Sequence, residues 1–202
     1  ELKGCNYSVI PDQIEAGTFM LAAVASKGDI TIKNCITKHL ECVTAKLLEI
    51  GAHVEDIDGD TLRVWASKRP NKATIKTAPY PGFPTDLQPQ MGVVLSLADG
   101  TSMIHESIWE SRFQYTSELN KMGAKVEGAG TNIVKIKGVK SLKDVGYNVM
   151  PDRIEVGTLL CMSAITGGEI VVNNVNSEHI TPIIHKLEET GSKIIVDKNK
   201  VI

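Results

Sequence analysis

The segment PDQIEAGTFMLAAVASKGDITIKNC, residues 11–35, returns as PDRIEVGTLLCMSAITGGEIVVNNV at 151–175. Pro11/Pro151, Gly17/Gly157, Gly28/Gly168, Asn34/Asn174, His39/His179 and Gly51/Gly191 are all offset by 140 residues without a gap. Internal repetition of this kind constrains the fold before any other property does. A weaker middle copy keeps the frame, because Gly28, Gly100 and Gly168 are each followed 23 residues later by Gly51, Gly123 and Gly191. The 202 residues therefore read as one domain of three units, near 1–70, 71–145 and 146–202.

Each unit opens with a helix that is apolar on nearly every side (GTFMLAAVAS, MGVVLSLAD, GTLLCMSAIT). Such a helix is expected to be buried all round. An alternating strand follows (DITIKNC, TSMIHES, EIVVNNV), then an amphipathic helix with apolar residues at helical spacing, such as Leu40, Val43 and Leu47. That helix stops at Gly51, Gly123 or Gly191, and two strands around a tight turn close the unit. HVEDIDGDTLRV carries the Asp-Gly pair expected of a hairpin. Three units that close on themselves make a pseudo-threefold α/β domain with sheets outside and helices inside. Related by rotation, the buried helices run parallel, and their N-termini at Asp12, Thr85 and Asp152 gather at one end. Their dipoles then favour anions there, unless each terminus is satisfied by its own capping box.

A net charge of -2 gives no basic field for a phosphate backbone, so a nucleic-acid partner is not expected. With no signal peptide and no long apolar span, the chain reads as cytoplasmic, without a membrane partner. It opens mid-phrase with ELKGCNYSV and no initiator Met, as a piece of something longer would. Cys5, Cys35, Cys42 and Cys161 lack CxxC spacing and sit in or beside apolar stretches. They are read as small core residues, and no metal or organic cofactor is called for. His39, His53, His105, His179 and His185 are assigned surface or capping roles, His39 and His179 at the same repeat position.

PGFPTDLQPQ, residues 81–90, places Asp86 between two prolines just before an apolar run. Thr85-Asp86-Leu87-Gln88 fits a Thr-x-x-Gln capping box, and Pro89 falls in the first helical turn. On these residues alone Asp86 is a helix-start acid. Its neighbourhood admits a second role.

VIPDQIEAGTF, KTAPYPGFPTDLQPQM, GTSMIHESIWESRF and ELNKMGAKVEG, spread over residues 1–145, closely resemble the C-terminal half of the bacterial UDP-N-acetylglucosamine 1-carboxyvinyltransferases, of the enolpyruvyl transferase family. The resemblance implies an inside-out α/β barrel of three βαβαββ repeats with pseudo-threefold symmetry. It implies a companion domain, absent from this chain, with the active site in the cleft between the two. The implied substrates are phosphoenolpyruvate and UDP-N-acetylglucosamine, whose 3-hydroxyl receives the enolpyruvyl group in peptidoglycan synthesis. A sister transferase acting on shikimate 3-phosphate shares the fold, but FPTDLQPQ with ESIWESRF favours the UDP-sugar branch.

Asp86 matches the family's FPTD aspartate, which lies against that hydroxyl and is suited to orient it and accept its proton. Ile108 matches the position whose backbone contacts the substrate. Arg112 resembles the family's arginine, positioning the loop, facing the anionic site or forming a structural salt bridge. The departures lie elsewhere. None of the four cysteines matches the general-acid cysteine of the companion domain, and that domain's lysine and arginine for phosphoenolpyruvate are missing. Where the family's last unit reads like ATDLRAGAAL followed by Arg-Gly-Tyr, this chain has MPDRIEVGTLL and SEHITPII. The isolated chain is therefore expected to be inactive, and the alternative is a non-catalytic barrel module or divergent paralogue that has lost the phosphoenolpyruvate clamp.

Overall fold

Asp12 starts the first helix by accepting the Ile14 N–H at 2.7 Å, and α1 (Gln13–Ser26) ends where Lys27 turns left-handed at φ 56°. In this computed structural model, which describes residues 3–202, the chain divides into two compact units, Glu1–Val145 and Gly146–Ile202. Among the described residues no helix is long and apolar enough to cross a membrane.

In the first unit, α1 is followed by β1 (Asp29–Lys33), α2 (Glu41–Glu49), β2 (His53–Asp56) and β3 (Thr61–Trp65). The three strands form an antiparallel sheet of order β1-β3-β2. The Asp-Gly hairpin forms as expected. Gly59 sits at φ 86°, which only glycine adopts freely, and its N–H reaches Asp56 Oδ1 at 2.8 Å. The middle repeat runs β4 (Thr74–Lys76), α3 (Gln88–Ser96), β5 (Thr101–His105), α4 (Thr116–Lys121), β6 (Lys125–Glu127) and β7 (Ile133–Lys137). Its sheet has order β4-β5-β7-β6, with β4 parallel to β5. Parallel neighbours need a crossover, and α3 supplies it.

The core of this unit joins both repeats. Met20, Leu21 and Val24 of α1 and Met91, Val94 and Leu95 of α3 are buried with Leu47, Ile75, Ile104 and Ile136. The first turns of α1 and α3 lie together, and Gln90 Nε2 donates to Thr18 Oγ1 at 3.0 Å. Gly17 permits this approach, because a Cβ there would stand 2.4 Å from Leu87 Cδ1. Arg69 ties the repeats a second time. It donates to the Leu97 and Ala98 carbonyls at 2.7 Å, just beyond α3, and to Val139 O at 3.0 Å. A guanidinium there complements the negative end of the helix.

The second unit repeats the first in miniature. α5 (Arg153–Thr166) is α1 moved by 140 residues, capped by Asp152 through Ile154 N and Glu155 N and ended by Gly167 at φ 65°. β8 (Val172–Asn173), α6 (Thr181–Glu189), β9 (Val196–Asp197) and β10 (Lys200–Val201) follow, in a sheet of order β8-β10-β9. Asn34 and Asn174 share φ values of 58° and 57°, while Gly51, Gly123 and Gly191 lie at 88°, 92° and 94°. The glycine frame is thus a frame of left-handed turns.

Four expectations change. The sheets are three separate ones and do not close into a barrel. Among the described residues only the middle repeat has the full βαβαββ sequence, since no strand precedes α1 or α5. The apolar helices are not all buried on every side. α1 has α3 against it yet leaves Phe19 54% exposed, and α5, with only α6 beside it in its own unit, leaves Ile154 and Ile165 68% and 86% exposed. Cys35 is buried and Cys42 partly so, but Cys5 and Cys161 are exposed rather than core residues.

The contact at Gly17 is testable. Gly17→Ala drives a methyl into the Leu87 side chain and is expected to cost about 1–3 kcal/mol, the usual range for overpacking. In a Leu87→Ala background the same change should be neutral or stabilising, because the methyl then enters vacated space. Urea melts of the four proteins of this cycle decide it; equal effects in both backgrounds would remove the contact from the account.

Candidate active site

β5 delivers Glu106 to the interior of the first unit, where the residue is 3% exposed. A buried carboxylate is costly unless hydrogen bonds replace its water. Here five donors do so. Oε1 accepts from Thr77 Oγ1 at 2.8 Å, Ile108 N at 2.9 Å and Trp109 N at 3.2 Å, and Oε2 accepts from Thr85 Oγ1 at 2.8 Å and Gln88 Nε2 at 3.1 Å. Burial pushes the carboxyl up, but the bonds from Ile108, Thr77, Thr85 and Trp109 together outweigh it and hold Glu106 below its ordinary value. Thr77 Oγ1 in turn accepts from Ser107 N at 2.9 Å, and Ser107 Oγ donates to Thr77 O. One carboxylate therefore fastens the exit of β4, the 3₁₀ turn Thr85–Leu87, the start of α3 and the loop after β5.

This arrangement corrects the capping box. Thr85 and Gln88 turn their side chains to Glu106 rather than to the helix amides, and no side chain caps the Thr85–Leu87 turn or α3. Pro89 does occupy the first turn of α3. The peptide between Tyr80 and Pro81, just upstream, is cis. Asp86 is left 57% exposed at the side chain, and Arg112 Nη2 donates to its Oδ1. Its other oxygen accepts no hydrogen bond among the described residues. Ile108 commits its N–H to Glu106, and its carbonyl accepts no hydrogen bond among the described residues. Ile108 and Arg112 line a cleft of about 1030 Å³, together with Glu106, Trp109, Phe113 and Asn132. Asp86 joins this cleft through Arg112 and is not itself a lining residue.

The residues singled out in the sequence thus come together, Asp86 on Arg112 directly and Ile108 through the carboxylate that also holds Thr85. Glu106 was missed. Its one signal is a charge at the end of an alternating strand, TSMIHE, where a surface reading is the natural one. Tyr115 was missed as well. Among the described residues its hydroxyl and Gln88 Oε1 are buried without a hydrogen-bond partner, and burial, aided by the Glu106 charge, raises the phenol strongly.

Glu106→Gln keeps the shape, removes the charge and turns an NH₂ group toward donors, at an expected cost of about 1.5–3 kcal/mol at neutral pH. Because the folded carboxyl is held low, its contribution is complete above the unfolded glutamate value, about 4.3. It is lost as pH falls through the folded value, so wild type and variant should converge in acid. Melting curves between pH 3 and 7 test this, and a difference that does not shrink with acid would contradict it. Tyr115→Phe removes an unpaired buried hydroxyl and is expected to stabilise by about 1 kcal/mol; a loss of stability would show that the hydroxyl has a partner.

A profile of the EPSP synthase (3-phosphoshikimate 1-carboxyvinyltransferase) family matches residues 1–134 and 122–202. The UDP-N-acetylglucosamine 1-carboxyvinyltransferase of Clostridium botulinum is 54% identical over 200 residues, covering 96% of this chain and 46% of the relative. UDP-N-acetylglucosamine 1-carboxyvinyltransferase 2 of Clostridium acetobutylicum is 45% identical over 202 residues, covering 98% and 47%. The chain spans about half the length of these curated relatives. Among solved structures, the enolpyruvyl transferase NikO from Streptomyces tendae superposes with TM-score 0.56 at 23% identity, over 64% of this chain and 31% of that one. EPSP synthase from Acinetobacter baumannii superposes with TM-score 0.53 at 16% identity, over 96% and 45%. The fold is accordingly the α/β fold of enolpyruvyl transferases, and the chain belongs to the EPSP synthase family of carboxyvinyltransferases.

Proposed function

We propose that this chain is one half of an enzyme that transfers enolpyruvyl from phosphoenolpyruvate to the 3-hydroxyl of UDP-N-acetylglucosamine, working in the cytoplasm with a companion domain. The observation that carries the reading is the Glu106 tie, which holds the PGFPTD turn and the ESIWESRF loop, the two segments with the family resemblance, against each other. Asp86 presents its unpaired oxygen to the sugar hydroxyl while Arg112 holds the other. The hydroxyl oxygen bonds to C2 of phosphoenolpyruvate and its proton passes to Asp86. A proton from the companion side reaches C3, and the tetrahedral adduct then loses phosphate and a C3 proton to restore the enol ether. The Ile108 carbonyl serves as a backbone acceptor for the substrate, and Arg112 orients Asp86. Residues 1–202 are read as a single domain of three pseudo-threefold repeats, without the closed barrel that the resemblance implied. The 140-residue recurrence and the common strand order of the three sheets support that arrangement.

A second reading draws on the third repeat, which copies the first down to its helix bounds and carries no Arg-Gly-Tyr motif. Under it the chain is a non-catalytic module or divergent paralogue without a phosphoenolpyruvate clamp. Joining the chain to a companion domain separates the two, because the module stays inactive.

The isolated chain should release no phosphate from phosphoenolpyruvate and UDP-N-acetylglucosamine. In the joined enzyme Asp86→Asn should lower kcat by about 10²–10⁴-fold, the usual worth of general acid–base catalysis. Its stability should change by no more than about 1 kcal/mol, since the ion pair is exposed. Turnover near that of wild type in Asp86→Asn would return Asp86 to a structural role.

A further inference from the structure

The sheets of the first and middle repeats set equivalent residues at equivalent register, yet their outward faces differ in charge. In the first repeat the face is neutralised. Asp29, Trp65 and His53 lie side by side across β1, β3 and β2. The His53 and Trp65 rings stack at 4.9 Å with 12° between their planes. Arg63, the next outward residue on β3, donates to Asp29 through two bonds of 3.0 and 2.7 Å and lies 4.9 Å from the Trp65 ring. Glu55 stands opposite Arg63.

In the middle repeat, 72 residues on, Thr101, Lys137 and Lys125 take the places of Asp29, Trp65 and His53, and Lys135 takes that of Arg63. The acid and the stacked rings are gone. Lys125 and Lys137 instead stand directly opposite each other on β6 and β7, where like charges destabilise a sheet. Lys76, outward on β4, adds a fourth cation, and Glu127, opposite Lys135, is the one acid at the outward positions of these strands. All four lysines are exposed. Among the described residues none of them makes an ion pair. Met103, 36% exposed, shares a row with Lys135 between the two ends of the cluster. From Lys76 to Lys125 the cations cross the face on a diagonal of about 20 Å, the reach of about six extended residues.

We propose that the outward face of the β4-β5-β7-β6 sheet is a docking surface for a short acidic segment of a partner protein, laid along Lys76, Lys135, Lys137 and Lys125 with an apolar residue on Met103. Charge complementarity selects the occupant. The whole chain carries -2, so with these lysines set apart the rest of its surface is acidic. A bilayer or a nucleic acid presents negative charge to that remainder as well and is repelled by it. A short segment meets only the lysines, and it relieves the repulsion between Lys125 and Lys137. The inference is independent of the reaction assigned to Asp86.

The test titrates the fluorescein-labelled peptide EDELEDED with the 202-residue chain at low ionic strength and follows anisotropy. Saturable binding that weakens as salt is added is expected. The double variant Lys125→Glu/Lys137→Glu should weaken it about tenfold or more, because each reversal replaces an ion pair with a like-charge contact. Lys33→Glu/Lys38→Glu makes the same change in net charge at exposed lysines of the first repeat and should leave the affinity within about twofold. Replacing the peptide's leucine by serine should weaken binding to wild type and have no effect on Met103→Ala. Thermal melts confirm that the variants fold, and the single variant Lys125→Glu, which faces Lys137 with an opposite charge, serves in place of the double if the latter does not. Lack of saturation at millimolar chain, or equal losses in the two double variants, overturns the proposal. So does tighter binding, dependent on Lys125 and Lys137, to phosphatidylserine vesicles or to duplex DNA than to the peptide.

Discussion

The Glu106 carboxylate is the constraint on which the rest of the first unit depends. Four chain segments converge on it. Unpaired, a buried carboxylate would cost several kcal/mol or take up a proton. With five donors it stays charged, and those donors are fixed because leaving it exposes the penalty again. The geometry is therefore set by desolvation as much as by attraction. A turn, a helix start and a loop each adopt the conformation that completes one coordination shell.

The repetition is physical as well as textual. Every unit needs a reversal after its amphipathic helix, and the left-handed glycines at 51, 123 and 191 provide it. In the first and middle repeats the chain after the last strand returns to the same frame, with Ala66 N on Gly28 O and Asn71 N on Ile50 O in the one, and Gly138 N on Gly100 O and Lys143 N on Met122 O in the other.

Much of this was legible. Repeat number, element order and the hairpin at Asp58-Gly59 follow from period and turn chemistry, which are local properties of the chain. Burial of the apolar helices was overestimated because hydrophobicity states a demand for neighbours and does not supply them. α1 finds α3 within its unit, whereas α5 has only α6 there. The capping box misled for a related reason. Thr85 and Gln88 have the right spacing to cap α3, but their side chains gain more from a buried charge than from helix amides that water can reach. That charge lies 21 residues beyond Thr85 and leaves no periodic mark.

On the proposed function, the contrast between the two carboxylates assigns each a different task. Glu106 is buried at the wall of the cleft and has five donors on its two oxygens. Asp86 is half exposed, holds one partner and keeps one oxygen open. An exposed ion pair is worth under about 1 kcal/mol, so Arg112 can give up or share that oxygen at little cost to the fold. A catalytic carboxylate needs such latitude, because it must change partners and protonation state during turnover. It also needs a fixed address, and an exposed 3₁₀ turn alone would not give one. The adjacent Thr85 bond to Glu106 does, placing the mobile charge one residue from the immobile one.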